Sequence, residues 1–200
     1  DPLSDFQLVL PVCNEEARIE VVLRHYCSIC RHILVIDNFS TDSTAKIASN
    51  FEKVRLIRIA NQGTTESRDW WLQASRYFYC DFVFFGSCSE FASGELLRAI
   101  SALVHSPSVD MVAVDRASRT GGFNTDPLYC APSSLLMPRI KLPAVVRFVR
   151  WKSIDPAVIS PHDNFRSQSH CVLLKLESNS EGFRIVHLRP YPSMSTIEKH

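Results

Sequence analysis

Along the first hundred residues two hydrophobic textures take turns. Phe6-Gln7-Leu8-Val9-Leu10-Pro11-Val12, Ile33-Leu34-Val35-Ile36-Asp37, Val54-Arg55-Leu56-Ile57-Arg58-Ile59 and Phe82-Val83-Phe84-Phe85 are short, nearly continuous apolar runs. Such runs mark strands of a parallel sheet, the Phe82–Phe85 run buried on both faces and the Val54–Ile59 run, with its two arginines, near the sheet edge. Between them, apolar residues recur three and four apart, the spacing of a single buried helix face. Ile19, Val22, Leu23, Tyr26, Cys27 and Cys30 make one face, Ala45, Ala48 and Phe51 a second, and Trp70, Trp71, Ala74 and Tyr77 or Phe78 a third, in a helix predicted over about 65–79. Pro11 cannot donate to a ladder and is placed at the end of its strand. Asn14 is expected to cap the helix that follows, with Glu15 and Glu16 in its first turn, where the dipole favours negative charge. Alternating strand and helix predict an α/β fold with a mostly parallel central sheet flanked by helices and right-handed crossovers.

Beyond Phe91 the pattern changes. Ser93 is read as the cap of a helix with Leu96, Leu97, Ile100, Leu103 and Val104 inward, and Val109–Asp115 as another strand. From Arg116 to about Pro143, Gly121, Gly122, Pro127, Pro132, Pro138 and Pro143 punctuate the segment into loops and short strands. Cys171–Leu176 and Phe183–Leu188 read as two further strands joined through Ser178-Asn179-Ser180-Glu181-Gly182.

Composition narrows the function classes. With 200 residues and 46% hydrophobic content, the chain fits one globular domain with a sizeable core. Lys+Arg 22 against Asp+Glu 21 leaves a net charge of +1, so no bulk field draws nucleic acid or anionic lipid. No apolar run approaches the roughly 18 residues of a membrane span. The 7 cysteines lie in apolar surroundings and read as buried thiols of a reducing, cytoplasmic compartment. Cys27-Ser28-Ile29-Cys30 has redox spacing without a second pair to complete a metal site, and is assigned to core packing. Opening on Asp1-Pro2 rather than Met, the chain reads as an excised domain that could have lost a targeting segment.

Candidate chemistry gathers at strand ends. In open α/β sheets ligands bind at the carboxyl ends of strands. That draws attention to Gly86-Ser87-Cys88-Ser89-Glu90, which is otherwise a plain turn with a solvated charge. Asp37 occupies a similar position; it can accept the imide N–H of a uracil or thymine, or serve only as a turn or capping residue.

Leu10-Pro11-Val12-Cys13-Asn14-Glu15-Glu16, Val35-Ile36-Asp37-Asn38-Phe39-Ser40-Thr41-Asp42-Ser43-Thr44, Asn61-Gln62-Gly63 and Arg68-Asp69, in that order, resemble the inverting family 2 glycosyltransferases of GT-A fold over residues 6 to about 100. The resemblance implies a single Rossmann-like GT-A domain over 1–200, with a nucleotide-binding half at 6–91 and a smaller, irregular acceptor-side half at 92–200. It implies a nucleoside-diphosphate sugar donor, UDP or dTDP type favoured, held by Pro11, Asn14, Glu15, Asp37, Arg68 and Ser87. Thr41 and Asp42 are held to serve the next helix. The acceptor is a glycan, a lipid-linked or a small molecule, whose hydroxyl Asp163 of the His162-Asp163 pair deprotonates for a single inverting displacement. Ser193 to Lys199 resembles a segment that covers the donor. The implied location is cytoplasmic, or peripheral to the membrane through parts outside this chain.

One departure stands out. The family's fourth strand ends in Asp-x-Asp, and this chain carries Ser87-Cys88-Ser89 there. Hydroxyls are poor ligands for hard divalent cations. Ser89, Glu90 and His187 are therefore expected to hold Mn²⁺ or Mg²⁺ only weakly, and only with the donor's diphosphate. The competing reading is a catalytically silent GT-A domain that binds a nucleotide sugar or glycan or scaffolds a larger enzyme. A nucleotidyltransferase fits less well, since no Gly-rich, basic phosphate loop follows the first strand.

Overall fold

A computed structural model of the chain describes residues 4–61, 68–120, 140–155, 171–176 and 185–189. The strands are β1 (Ser4–Val12), β2 (Cys30–Asp37), β3 (Val54–Arg58), β4 (Phe82–Phe85), β5 (Glu90–Ala92), β6 (Met111–Thr120), β7 (Ile140–Arg150), β8 (Leu173–Leu176) and β9 (Ile185–Arg189). The helices are α1 (Ile19–Cys27), α2 (Thr44–Ala48), α3 (Arg68–Ser75) and α4 (Gly94–Leu103). The strands form one sheet in the order β3-β2-β1-β4-β7-β6-β9-β5, with β8 pairing β6 off this path. β1, β2, β3 and β4 are mutually parallel where they pair, while β7 runs antiparallel to both β4 and β6. The mostly parallel α/β sheet flanked by helices is the GT-A architecture the sequence implied.

Alternation along each strand divides the core between the two faces of the sheet. Leu8, Leu10, Val35, Phe82, Phe84 and Phe148 face α1, α2 and α4, meeting Ile19, Val22, Leu23, Tyr26, Leu96, Leu97 and Ile100. Val9, Leu34, Ile36, Val83, Phe85 and Val149 face the other way, onto Trp70, Trp71 and Ala74 of α3. Phe84 stacks on Phe148 with centroids 4.4 Å apart, and Phe6 meets both edge-on. Each fully buried side chain of this size contributes about 1.5–3 kcal/mol, so this cross-strand aromatic group fastens the parallel half to β7. Ser93 caps α4 as expected, accepting from Leu96 N at 3.2 Å.

Two local expectations are revised. Asn14 does not cap α1: it sits at φ 54°, and the helix starts four residues later behind Arg18, with no side-chain cap. The long strand β7 has no counterpart in the sequence reading, which divides the segment up to about Pro143 into loops and short strands. Its Pro143 falls where the β6 register slips between Val114 and Arg116, one extra residue lying on the β7 side. A bulge is where a strand tolerates a residue without an N–H.

Candidate functional site

The carboxyl ends of β1, β2 and β4 lie along one edge, because the three strands are parallel and paired, Val12 against Asp37 and Val9 against Phe85. The loops after β1 and β2 interlock there. Asn14 Oδ1 accepts from Thr41 N at 2.9 Å and Asn14 N donates to Ser40 Oγ at 2.9 Å. Glu15 N donates to Thr44 Oγ1 at 2.7 Å and Glu16 N to Asp42 Oδ2 at 3.1 Å. Ser43 N returns a bond to Glu16 Oε2 at 2.9 Å. Asn38 N donates to Val12 O at 2.9 Å, and Asn38 Oδ1 accepts from Asn61 N at 2.8 Å. These bonds fix the backbone of both loops without help from a ligand. Desolvation pulls the Asp42 carboxyl upward, but hydrogen bonds from Thr44 and the Glu16 N–H outweigh it and hold the group below the usual carboxylate range. Glu15 goes the other way: partial burial raises it in spite of its ion pair with Arg18.

Asp37 ends β2 with its side chain wholly buried. Ser40 N donates to its Oδ1 at 3.0 Å. Arg58, the register partner of Asp37 at the end of β3, brings Nε within 3.0 Å of Oδ2. The approach balances charge but lies off the line of the N–H, so Oδ2 accepts no hydrogen bond. Oδ2 keeps lone pairs for a ligand N–H, which reaches this covered atom only if the half-exposed Arg58 side chain gives way.

The turn after β4 is closed on itself. Ser87 Oγ and Ser89 Oγ share a hydrogen bond at 2.9 Å, Ser89 N donates to Ser87 Oγ at 3.2 Å, and Glu90 N donates to Ser87 O at 3.0 Å. Gly86 is required here: a Cβ would come within 2.8 Å of Leu8 Cδ1 and 2.9 Å of Leu10 Cδ2. Cys88 turns into the core, where burial pushes its thiol far above the ordinary range, the Glu15 carboxylate adding to it. Glu90, 2% exposed, is gripped by Arg147 of β7, with Nε to Oε2 at 2.9 Å and Nη2 to Oε1 at 2.8 Å. Behind it the buried Tyr26 hydroxyl donates to Glu90 O and accepts from Ala92 N, both at 3.0 Å, tying α1 to β5.

Of the expected metal ligands, Glu90 is thus paired with Arg147 and Ser89 is bonded to Ser87. A cation at Glu90 would have to compete with a bidentate guanidinium, and among the described residues no group of three His, Cys, Asp or Glu side chains could hold a metal. His187 is the backbone register partner of Glu90 across β5 and β9. Pro11, Asn14, Glu15, Asp37 and Ser87 share the strand-end edge, and Arg68 opens α3. His162, Asp163 and Lys199 lie outside the described residues. Sequence reasoning missed Arg58, Phe39 and Arg147. The first was findable from parallel register, and the last as a charge inside the apolar run Val145-Val146-Arg147-Phe148-Val149.

Comparison with known proteins agrees with the fold. No curated protein matches the chain. Among solved structures, a mannosyltransferase from Pyrobaculum calidifontis in complex with GDP-Man and Mn²⁺ superimposes with a TM-score of 0.61 at 12% identity, covering 99% of this chain and 60% of that one. TarS of S. aureus gives 0.63 at 15% identity, covering 92% of this chain and 36% of that one. A shorter TarS, residues 1–349, in complex with UDP gives 0.61 at 15% identity, covering 92% and 60%. At these identities the likeness is one of fold, and the chain spans 60% or less of each of these proteins. The family model described as glycosyl transferase family 2 matches residues 7–142, more than half of the sequence, and the chain belongs to that family.

Proposed function

We propose that this chain binds a nucleoside-diphosphate sugar and transfers the sugar to an acceptor hydroxyl by a single inverting displacement, the two halves acting as one domain. The observation that carries the reading is Asp37, a buried strand-end carboxylate with one oxygen free of hydrogen bonds, set between loops already locked together. An imide N–H of a uracil or thymine satisfies that oxygen, which favours UDP or dTDP donors. The bound UDP of TarS and GDP-Man of the mannosyltransferase support a nucleotide-sugar donor in general. Pro11, Asn14, Glu15, Arg68 and Ser87 surround the nucleotide in this reading. Asp163 is the general base for a glycan, lipid-linked or small-molecule acceptor. Glu90 belongs to the Arg147 pair, so any Mn²⁺ or Mg²⁺ is held chiefly by the donor's own diphosphate.

Thermal-shift titration with UDP, dTDP, GDP and ADP, each with and without Mn²⁺, tests the donor reading, since a ligand specific to the native state raises Tm. Asp37→Ala should weaken UDP binding by about 1–3 kcal/mol, the scale of a hydrogen bond to a charged group. Unchanged affinity removes Asp37 from the site. The self-bonded serines after β4 favour one second reading, a silent domain that binds donor without turning it over. Binding without release of free UDP from any UDP-sugar, in the presence of acceptors, selects that reading.

A further inference from the structure

Phe39 follows Asp37 by two residues and breaks two habits of its residue type. Its backbone is left-handed at φ 52°, a region that is a genuine outlier for a bulky side chain. Its side chain is also 56% exposed, in the company of few other large apolar residues. Arg58 explains part of the placement: its guanidinium lies 5.9 Å from the Phe39 ring centroid while its Nε sits 3.0 Å from Asp37 Oδ2. One arginine on the edge strand β3 thus ties the ring to the carboxylate. The group offers a flat apolar face, a flat cation and a buried acceptor with spare lone pairs, all at the carboxyl end of β2. Strained conformations persist where the surrounding structure over-determines them and tend to gather at ligand sites. The three features together match a planar heterocycle bearing an N–H.

We propose that Phe39 is the stacking platform for the donor's nucleobase, held by Arg58 so that a base lying on the ring presents its N–H to Asp37 Oδ2. This rests on the donor reading above. The full chain is titrated calorimetrically with UDP and, as a probe without a base, with inorganic pyrophosphate. Phe39→Ala and Phe39→Gly should weaken UDP roughly 5- to 100-fold, the range of one lost base–aromatic stack, and leave pyrophosphate unchanged. Phe39→Tyr keeps the platform and should keep the affinity. Phe39→Gly also relieves the left-handed backbone, so its Tm should not fall, which separates a ring kept for binding from one kept for stability. Equal UDP affinity in the Gly variant, with binding by the unaltered chain intact, overturns the platform and leaves the donor reading standing. A parallel loss of pyrophosphate binding makes the role structural and overturns it as well. If the unaltered chain binds no nucleoside diphosphate, the donor reading itself fails.

Discussion

Arg147→Met is the sharpest test of how the turn after β4 is held. The substitution keeps most of the side-chain volume and removes both charge-assisted bonds to Glu90, which is 2% exposed against 20% for Arg147. Breaking one side of a buried ion pair costs about 3–5 kcal/mol, because the remaining charge stays desolvated. Taking up a proton relieves part of that cost. For a carboxyl with an ordinary pKa near 4.3, that costs about 3.7 kcal/mol at pH 7 and about 1.4 kcal/mol less for each unit of acidification. The loss at pH 7 should therefore come to about 4 kcal/mol and shrink to roughly 1 kcal/mol at pH 5. The sign follows from linkage: the variant raises the folded pKa of Glu90 above its unfolded value, so its deficit is full above the raised pKa and fades as pH falls. At pH 7 that is a drop in Tm of roughly 8–16 °C for a domain of this size. Glu90→Gln should cost less, about 1–3 kcal/mol, since Arg147 keeps some contact with water. The Glu90→Gln/Arg147→Met double variant should regain most of the single Arg147 loss. Urea denaturation at the two pH values measures all of this. A loss below about 1 kcal/mol at pH 7, or one that does not change with pH, would refute the argument.

Two further outcomes follow from the same geometry and from the proposed chemistry. His25 packs against Tyr26 and Phe91 with Nε2 2.9 Å from Ala92 O, and burial holds its pKa below the usual range. The unfolded chain then takes the proton first, so stability is full above about pH 6.5 and is lost as pH falls from there toward the lower folded pKa; His25→Gln should flatten that slope in denaturation curves. Asp163→Asn should lower turnover by about 10²- to 10⁴-fold while donor affinity holds, the usual weight of a general base; normal steady-state turnover would send the search to another carboxylate.

The parallel half of the fold is plain in the sequence because each element there carries one dominant signal. A strand buried on both faces must be apolar throughout, and the helices over it must show one face, so β1, β2 and β4 follow from hydrophobicity alone, while β3, half-exposed at the sheet edge, shows apolar residues broken by Arg55 and Arg58. β7 breaks that rule. It carries Pro143 at a bulge and two arginines, and its partners β4 and β6 are remote in sequence, so no local pattern identifies it. The site divides along the same line. Asp37 is legible because a carboxylate ends an apolar run, and Asn14 only in part, since an αL turn that reaches across to Thr41 has the same composition as a helix cap. Glu90 stands out in the sequence only as a strand-end carboxylate, with no sign of its ion pair. The partner sits 57 residues on, in the strand that local pattern could not reveal.

The pairing of β5 with β9 also bears on the order in which the protein can be made. Glu90 and His187 are register partners about a hundred residues apart, and loop closure over such a span must precede any reward from the contact. β1 to β4, linked by successive crossovers, can assemble while the rest of the chain is still being synthesised. The turn at Ser87–Glu90 cannot. β5 needs Arg147 from β7 and then its pairing strand at residues 185–189, so this part of the sheet is finished only after β9 has emerged. Until then β5 lacks the strand it pairs with, and an unpaired strand edge is the kind of surface that invites pairing with a neighbouring chain. Nascent or truncated forms that stop short of β9 are thus exposed at β5, even where the interlocked loops after β1 and β2 are already in place.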